Sequence, residues 1–200
     1  GSDHLPNCID KLTNYLKEHH VETKELCNVH DIKTINPDNH EVICSIKGKP
    51  ITYQAKKVII APGRTGAKWV GELANKYNIP YISQSIEIGV RIEFRKEIME
   101  DISKILYEPT IFIKTKTYGD EIRTFCSNPG GYVAKESYEG YCCVNGYSLK
   151  DTKSNNSNFA FISKVNLTEP VTDTRMYGES IARIANVLGA GKPIIQTLKD

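Results

Sequence analysis

Two glycine-containing segments of the sequence could bring the main chain close to a bound ligand. The first is Val58–Arg64, in which an apolar run leads into a Pro-Gly pair. The second is Thr124–Val133, which places Pro129-Gly130-Gly131 between two strand-like runs. Because glycine has no β-carbon, such backbone can lie against a ligand or a flat ring. On the residues alone, a plain connection is favoured for each segment, a strand–turn–helix in the first case and a tight turn in the second.

Several common catalytic and cofactor motifs are absent from the sequence. There is no HExxH, GxSxG or CxxC pattern, so no standard zinc, hydrolase or dithiol site is indicated. No GxGxxG follows a strand, so this chain has no diphosphate-binding loop of its own. We therefore predict no metal site, and the catalytic residues stay unknown.

Length and charge narrow the class of protein. A length of 200 residues suggests one domain or slightly more, and a net charge of +2 is small for a nucleic-acid-binding domain. No apolar run reaches the roughly 20 residues of a membrane-spanning helix. Six cysteines without a signal peptide favour the reducing cytoplasm. We expect neither nucleic acid nor a membrane as partner, and the oligomeric state is open.

The hydrophobic periodicity predicts an α+β (mixed α/β) fold. A helix over residues 5–16 precedes a β-meander over residues 21–55, and Val58–Ala61 is predicted as one strand buried on both faces. A mostly antiparallel sheet with helices makes up the remainder, and Ser148–Asn158 is predicted as a loop. The remaining predicted elements are helices at 65–77, 98–106 and 175–188 and strands at 86–94, 110–117, 121–126, 132–135, 141–144 and 159–165.

Six segments, in this order, resemble a family of bacterial FAD-dependent dehydrogenases, flavin-utilising oxidoreductases. They cover roughly residues 55–200. The segments are the apolar run into Ala61-Pro62-Gly63-Arg64; Glu87 to Glu93; Arg123 to Cys126 with Pro129-Gly130-Gly131 and Val133; Asn145-Gly146 with Ser148; Asn156-Ser157-Asn158; and Gly191-Lys192-Pro193 with Gln196 and Asp200.

The resemblance implies a flavoprotein in which a second domain splits an FAD-binding Rossmann domain. Residues 1–64 would then be a partial FAD-domain segment, and residues 65–200 an inserted substrate-type domain that covers the flavin. The chain would be an internal fragment, because the N-terminal GxGxxG and a C-terminal FAD segment are both outside it. We expect such a fragment to be inactive and to retain little or no FAD.

The resemblance also implies particular site residues. Cofactor contacts are expected at Ala61, Pro62, Gly63 and Arg64 and at Pro129, Gly130 and Gly131. The candidates for the pocket of an unknown small-molecule substrate are Arg91, Arg123, Cys126 and Asn145. Arg64 or Arg91 could offset negative charge on the flavin or the substrate. Cys126 is either a redox thiol or an inert buried cysteine.

A function from a different class stays open. The chain could be a non-catalytic binding or interaction module that holds a protein or an anionic ligand on an exposed sheet face and a lysine-rich meander. A gene that continues on both sides, with GxGxxG upstream, would favour the enzyme. Nucleic-acid binding, a third alternative, predicts salt-sensitive retention on DNA or RNA.

Overall fold

The computed structural model of the chain describes residues 1–167 and 173–199. Within these residues it contains four α-helices and three antiparallel sheets, which confirms the mixed α+β class. The chain divides into two compact units. We call Gly1–Cys8 with Ser83–Asp200 the larger unit, and Ile9–Ile82 the meander unit. The assignment of residues 1–64 and 65–200 to two domains of a split flavoprotein stays a prediction.

The helices follow the apolar periodicity of the sequence. The predicted first helix is α1 (Leu5–Glu18), and α2 (Ala67–Lys76), α3 (Glu100–Ile105) and α4 (Thr174–Leu188) follow it. Asp173 caps α4 because its carboxylate accepts a hydrogen bond from the Met176 amide at 2.9 Å. None of the helices in the described ranges has the length and apolar character needed to span a membrane.

The meander unit contains a three-stranded antiparallel sheet in the order β1-β2-β3. Its strands are β1 (Cys27–Asn36), β2 (Asn39–Ile46) and β3 (Lys49–Ala55). Lys47 and Gly48 connect β2 to β3, and both have positive φ, 50° and 79°. A two-residue turn with this backbone matches the twist of the strands that it joins. The predicted β-meander is therefore confirmed.

A β-bulge in β1 fastens α2 to this sheet. The pairing of β1 with β2 shifts register between Val29 and Asp31. The carbonyl of the intervening His30 accepts a hydrogen bond from Trp69 Nε1 at 3.3 Å. The buried Asp31 carboxylate accepts hydrogen bonds from Lys76 Nζ at 2.7 Å and from the Tyr77 hydroxyl at 2.9 Å. Polar contacts thus supplement the small apolar core of this unit.

These contacts predict an acid-sensitive step in the stability of the meander unit. The Lys76 ammonium, and then Tyr77, hold the pKa of the Asp31 carboxyl below its usual range, although burial opposes them. The stabilisation is complete above the unfolded-state pKa of about 4 and is lost as the pH falls through the lower folded-state pKa. We expect Asp31→Asn to cost about 1 kcal/mol at neutral pH and to flatten the pH dependence below about pH 4.

Trp69 is the one tryptophan of the sequence, so its fluorescence follows unfolding of this unit in urea. Glu22→Gln is the matched control, because the Glu22–Lys24 ion pair is exposed and adds little. Equal pH profiles for the wild type and Asp31→Asn would contradict the role given to Asp31.

The prediction of a buried strand at Val58–Ala61 is wrong. These residues form no strand, and Ile59 is 93% exposed. A strand that is buried on both faces needs paired neighbours and cover on each side. Among the described residues, β1, β2 and β3 pair only with one another, so the apolar run at 58–61 is paired with no strand.

The larger unit is built on a four-stranded antiparallel sheet in the order β4-β9-β6-β5 and a separate hairpin of β7 and β8. The alternation in residues 86–94 correctly predicts a strand. The six strands are β4 (Ile86–Arg95), β5 (Phe112–Lys114), β6 (Glu121–Asn128), β7 (Tyr132–Tyr138), β8 (Tyr141–Tyr147) and β9 (Asn156–Val165).

The loop predicted for Ser148–Asn158 is too long, because β9 begins at Asn156. Ser157 and Asn158 are buried in that strand although both are polar. Their side chains have partners inside the unit: Ser157 Oγ accepts from the Gly130 amide at 3.1 Å, and Asn158 Oδ1 accepts from Arg91 at 2.7 Å. Burial of polar groups is tolerated where they are hydrogen-bonded.

The side chain of Asn186 joins α4 to β8. Its Oδ1 accepts from the Cys142 amide at 2.7 Å, and its Nδ2 donates to the Cys142 carbonyl at 2.9 Å. One side-chain amide therefore satisfies both main-chain groups of a strand residue, as a neighbouring strand would do.

Candidate functional site

The centre of the larger unit is a group of polar side chains around Arg91. Register explains why three of them meet: Asn158 on β9 is paired with Asn128 on β6 and is two residues from Ala160, the partner of Arg91 on β4. Directly opposed and diagonal residues of antiparallel strands share one face of a sheet. We call the group of Arg91, Cys126, Asn128, Asn145 and Asn158 the arginine cluster.

Arg91 is the hub of this cluster. Its Nη1 donates to Asn158 Oδ1 at 2.7 Å and to the Cys126 carbonyl at 3.1 Å. Its Nη2 donates to Asn145 Oδ1 at 3.3 Å. Residues from four strands, β4, β6, β8 and β9, are therefore held by one guanidinium group.

A bulge in β6 turns Cys126 towards Arg91. The pairing of β6 with β9 shifts register between Phe125 and Asn128, and Cys126 has a φ of 49°. Positive φ is uncommon for a residue other than glycine. Asn128 Nδ2 holds the bulge by donating to the Cys126 carbonyl at 2.8 Å and contacts the Cys126 sulfur at 3.7 Å. The half-buried Cys126 thiol also lies 3.9 Å from Asn145 Oδ1.

Asn145 enters the cluster from β8. Its Oδ1 accepts a hydrogen bond from the Gly146 amide at 2.8 Å in addition to the contact with Arg91. Its Nδ2 donates to Glu136 Oε2 on β7 at 3.4 Å. Gly146 packs directly against the cluster and leaves no room for a side chain. A β-carbon there would overlap Asn128 Nδ2 and lie 2.8 Å from Arg91 Nη1.

In the Pro-Gly-Gly loop, the main-chain amide and carbonyl groups of both glycines are hydrogen-bonded to the rest of the larger unit. The Gly130 amide donates to Ser157 Oγ, and the Gly131 amide donates to the Asn128 carbonyl, both at 3.1 Å. Ser154 donates to both glycine carbonyls, at 2.8 Å from its amide and at 2.7 Å from its hydroxyl. This geometry accounts for the glycines as a tight turn, and contact of Pro129, Gly130 or Gly131 with a flavin stays a prediction.

Arg123 lies apart from the other three substrate-pocket candidates. Its guanidinium forms a two-bond ion pair with Glu87, at 2.9 Å and 2.7 Å, and contacts the Phe125 ring. Arg123 accordingly holds the pKa of the Glu87 carboxyl below its usual range. The structure thus brings Arg91, Cys126 and Asn145 together and places Arg123 in a separate surface pair.

Ala61, Pro62, Gly63 and Arg64 belong to the meander unit. Ala61 and Pro62 line a cavity of about 680 Å³ in that unit. The wall of the cavity is mainly apolar and includes Trp69, whose ring is held by its hydrogen bond to the His30 carbonyl. Such a lining suits a planar organic group. Gly63 has a φ of 70°, and Arg64 begins a short helical turn.

Two of the main cluster residues were missed by sequence reasoning. Asn128 was included only as part of the Thr124–Val133 segment, and Asn158 only within Asn156-Ser157-Asn158. A polar triplet that leads into an apolar strand was the one available signal for Asn158.

Asp200, included in the resemblance, lies outside the described residues. In residues 1–167 and 173–199, no group of three His, Cys, Asp or Glu could hold a metal ion.

The fold and the cluster define a mixed α+β domain whose centre is an arginine held by carbonyl and amide oxygens. Residues 85–186 match the model of the family described as FAD-dependent protein, C-terminal domain-like. The chain belongs to this family. No curated protein and no solved structure matches the chain.

Proposed function

We propose that the chain is part of a flavin-dependent oxidoreductase, a dehydrogenase, in which the larger unit forms the substrate pocket and covers the flavin. Membership of an FAD-dependent family supports the flavin. One structural observation supports the pocket: Arg91, Cys126 and Asn145, three of the four candidates drawn from separate parts of the sequence, are joined by hydrogen bonds and contacts.

The cluster fits a ligand that is rich in hydrogen-bond acceptors. Arg91 Nε and Asn158 Nδ2 are buried and have no hydrogen-bond partner among the described residues. The carbonyl groups of a flavin ring, or the oxygens of a substrate, are suitable partners for such donors. A flavin supplies hydride transfer when bound. The residues of this chain would bind and orient its partners and offset negative charge.

In the meander unit, we propose that Ala61, Pro62, Gly63 and Arg64 contact the cofactor. The apolar cavity beside Ala61 and Pro62 supports this assignment. The chain has no glycine-rich loop for a diphosphate, so the cradle for that part of FAD would come from residues outside this sequence.

Flavin content of the longer polypeptide tests the proposed function. We expect it to purify with stoichiometric FAD that is released on denaturation and measured by absorbance. A colourless polypeptide that also takes up no added FAD would contradict the proposal, and would leave the binding-module interpretation.

We expect the 200-residue chain alone to bind FAD weakly or not at all, because it lacks the diphosphate loop. Equilibrium dialysis against FAD measures this directly, with riboflavin as the control ligand without phosphates. Stoichiometric FAD in the purified chain would show that the missing loop is not required.

A further inference from the structure

Two arginines of the larger unit use the same edge of the guanidinium group differently. In Arg123, Nε and Nη2 each donate to one oxygen of the Glu87 carboxylate, at 2.9 Å and 2.7 Å. This edge is a fork that matches the two oxygens of a carboxylate. In Arg91, Nε is buried and makes no hydrogen bond to a described residue, and Nη2 has one contact, at 3.3 Å, with Asn145 Oδ1.

The groups that contact Arg91 directly carry no negative charge, and the Glu136 carboxylate is hydrogen-bonded to Asn145 and not to Arg91. The three acceptors of Arg91, Cys126 O, Asn158 Oδ1 and Asn145 Oδ1, are all neutral oxygens. No ion pair involves Arg91 in the described part of the chain. Arginine stays protonated in proteins, and a partly buried cation is costly unless it is paired.

The cluster also contains two buried donors without acceptors, Arg91 Nε and Asn158 Nδ2. Asn158 is 1% exposed, and its Nδ2 has no partner among residues 1–167 and 173–199 although its Oδ1 accepts from Arg91. A buried donor of this kind loses its hydrogen bond to water without a replacement. An acceptor-rich ligand at the cluster is the physical complement of these two donors.

We propose that the Nε–Nη2 edge of Arg91 binds a carboxylate group of the substrate. The proposal rests on the proposed function, because it names the substrate class of the same pocket. Asn145 can give up its contact with Nη2 without losing its place, since its Oδ1 also accepts from the Gly146 amide at 2.8 Å. Arg123 does not offer a second site, because Glu87 already fills its fork.

A titration of the 200-residue chain with sodium acetate tests this inference. The readout is the nitrogen–proton NMR signal of each arginine Nε, assigned through the carbon chain of its own side chain. We expect the Arg91 signal to shift and saturate in the millimolar range, as suits a small ligand with one charged contact. Sodium chloride at matched ionic strength should not produce the saturating shift, and the Arg123 signal should stay in place.

Arg91→Lys keeps the positive charge but lacks the fork, so acetate should no longer cause saturable shifts in the neighbouring amide signals. The wild-type titration decides the question even if this variant does not fold. An Arg91 signal that fails to saturate, or that responds equally to chloride, would overturn the proposal.

Competition with lumiflavin shows whether Arg91 binds a substrate carboxylate or the oxygens of the flavin ring. If lumiflavin displaces acetate from Arg91, this edge binds the ring and not the substrate, and the inference fails. Failure of the proposed function has a different signature, since a colourless longer polypeptide with an acetate-responsive Arg91 would retain the carboxylate site without the oxidoreductase.

Discussion

Gly146→Ala is expected to lower the free energy of unfolding of the larger unit by about 2–5 kcal/mol. The added β-carbon would overlap Asn128 Nδ2 and crowd Arg91 Nη1. Asn128 would have to leave the Cys126 carbonyl, so the clash would also break the hydrogen bond that holds the β6 bulge. The effect is measured by hydrogen exchange of β8 and β9 amides in urea.

Gly71→Ala is the matched control for this substitution. Gly71 lies inside α2, and a β-carbon there meets no atom within 4 Å. Alanine in a helix interior is favoured over glycine by about 0.5–1 kcal/mol, so the meander unit should become slightly more stable. If Gly146→Ala were as harmless as Gly71→Ala, the close packing described for the arginine cluster would be incorrect.

Removal of the Arg91 guanidinium group is expected to cause the second large loss of stability in the larger unit. Arg91→Met leaves the buried Asn158 Oδ1 without its 2.7 Å donor and removes one of two donors to the Cys126 carbonyl. Each buried acceptor left without a partner costs about 1–3 kcal/mol. We expect a clear loss of stability in the larger unit by urea unfolding, followed by circular dichroism.

Arg123→Met provides the comparison within the same sheet. The pair of Arg123 with Glu87 is partly exposed, and such pairs contribute about 0–1 kcal/mol. The difference in unfolding free energy between Arg91→Met and Arg123→Met therefore measures how much the arginine cluster contributes to stability. Equal losses for Arg91→Met and Arg123→Met would mean that Arg91 is an ordinary surface arginine.

Local patterns predicted most of the secondary structure. The alternation of apolar and polar residues at 86–94 and the helical spacing at 65–77 both reflect one buried face, which the sequence carries directly. The β-meander over residues 21–55 was also predicted, because turn residues separate its strand-like runs. These elements depend on neighbours a few residues away along the chain.

The errors arose where tertiary contacts override the local pattern. Val58–Ala61 has the composition of a buried strand, but composition does not show whether neighbouring strands are present. Residues 156–158 look like a loop because they are polar, yet Asn158 is buried through its hydrogen bond with Arg91. No local signal marks such a partner 67 residues away in sequence.

The candidate site was predicted in part. The resemblance singled out Arg91, Cys126 and Asn145, and these three meet in the structure. Asn128 was missed because its role depends on the bulge at Cys126, and a positive φ at a cysteine has no signature in sequence. The four hydrogen bonds of Gly130 and Gly131 were likewise invisible until the positions of Ser154 and Ser157 were known.

The position of FAD in a crystal structure of the longer polypeptide tests the central claim most directly. We expect the isoalloxazine ring to lie next to the arginine cluster, with the Nε–Nη2 edge of Arg91 facing the substrate side of the ring. A ring bound with no atom in contact with Arg91, Cys126 or Asn145, and with no space for a substrate between them, would contradict the account.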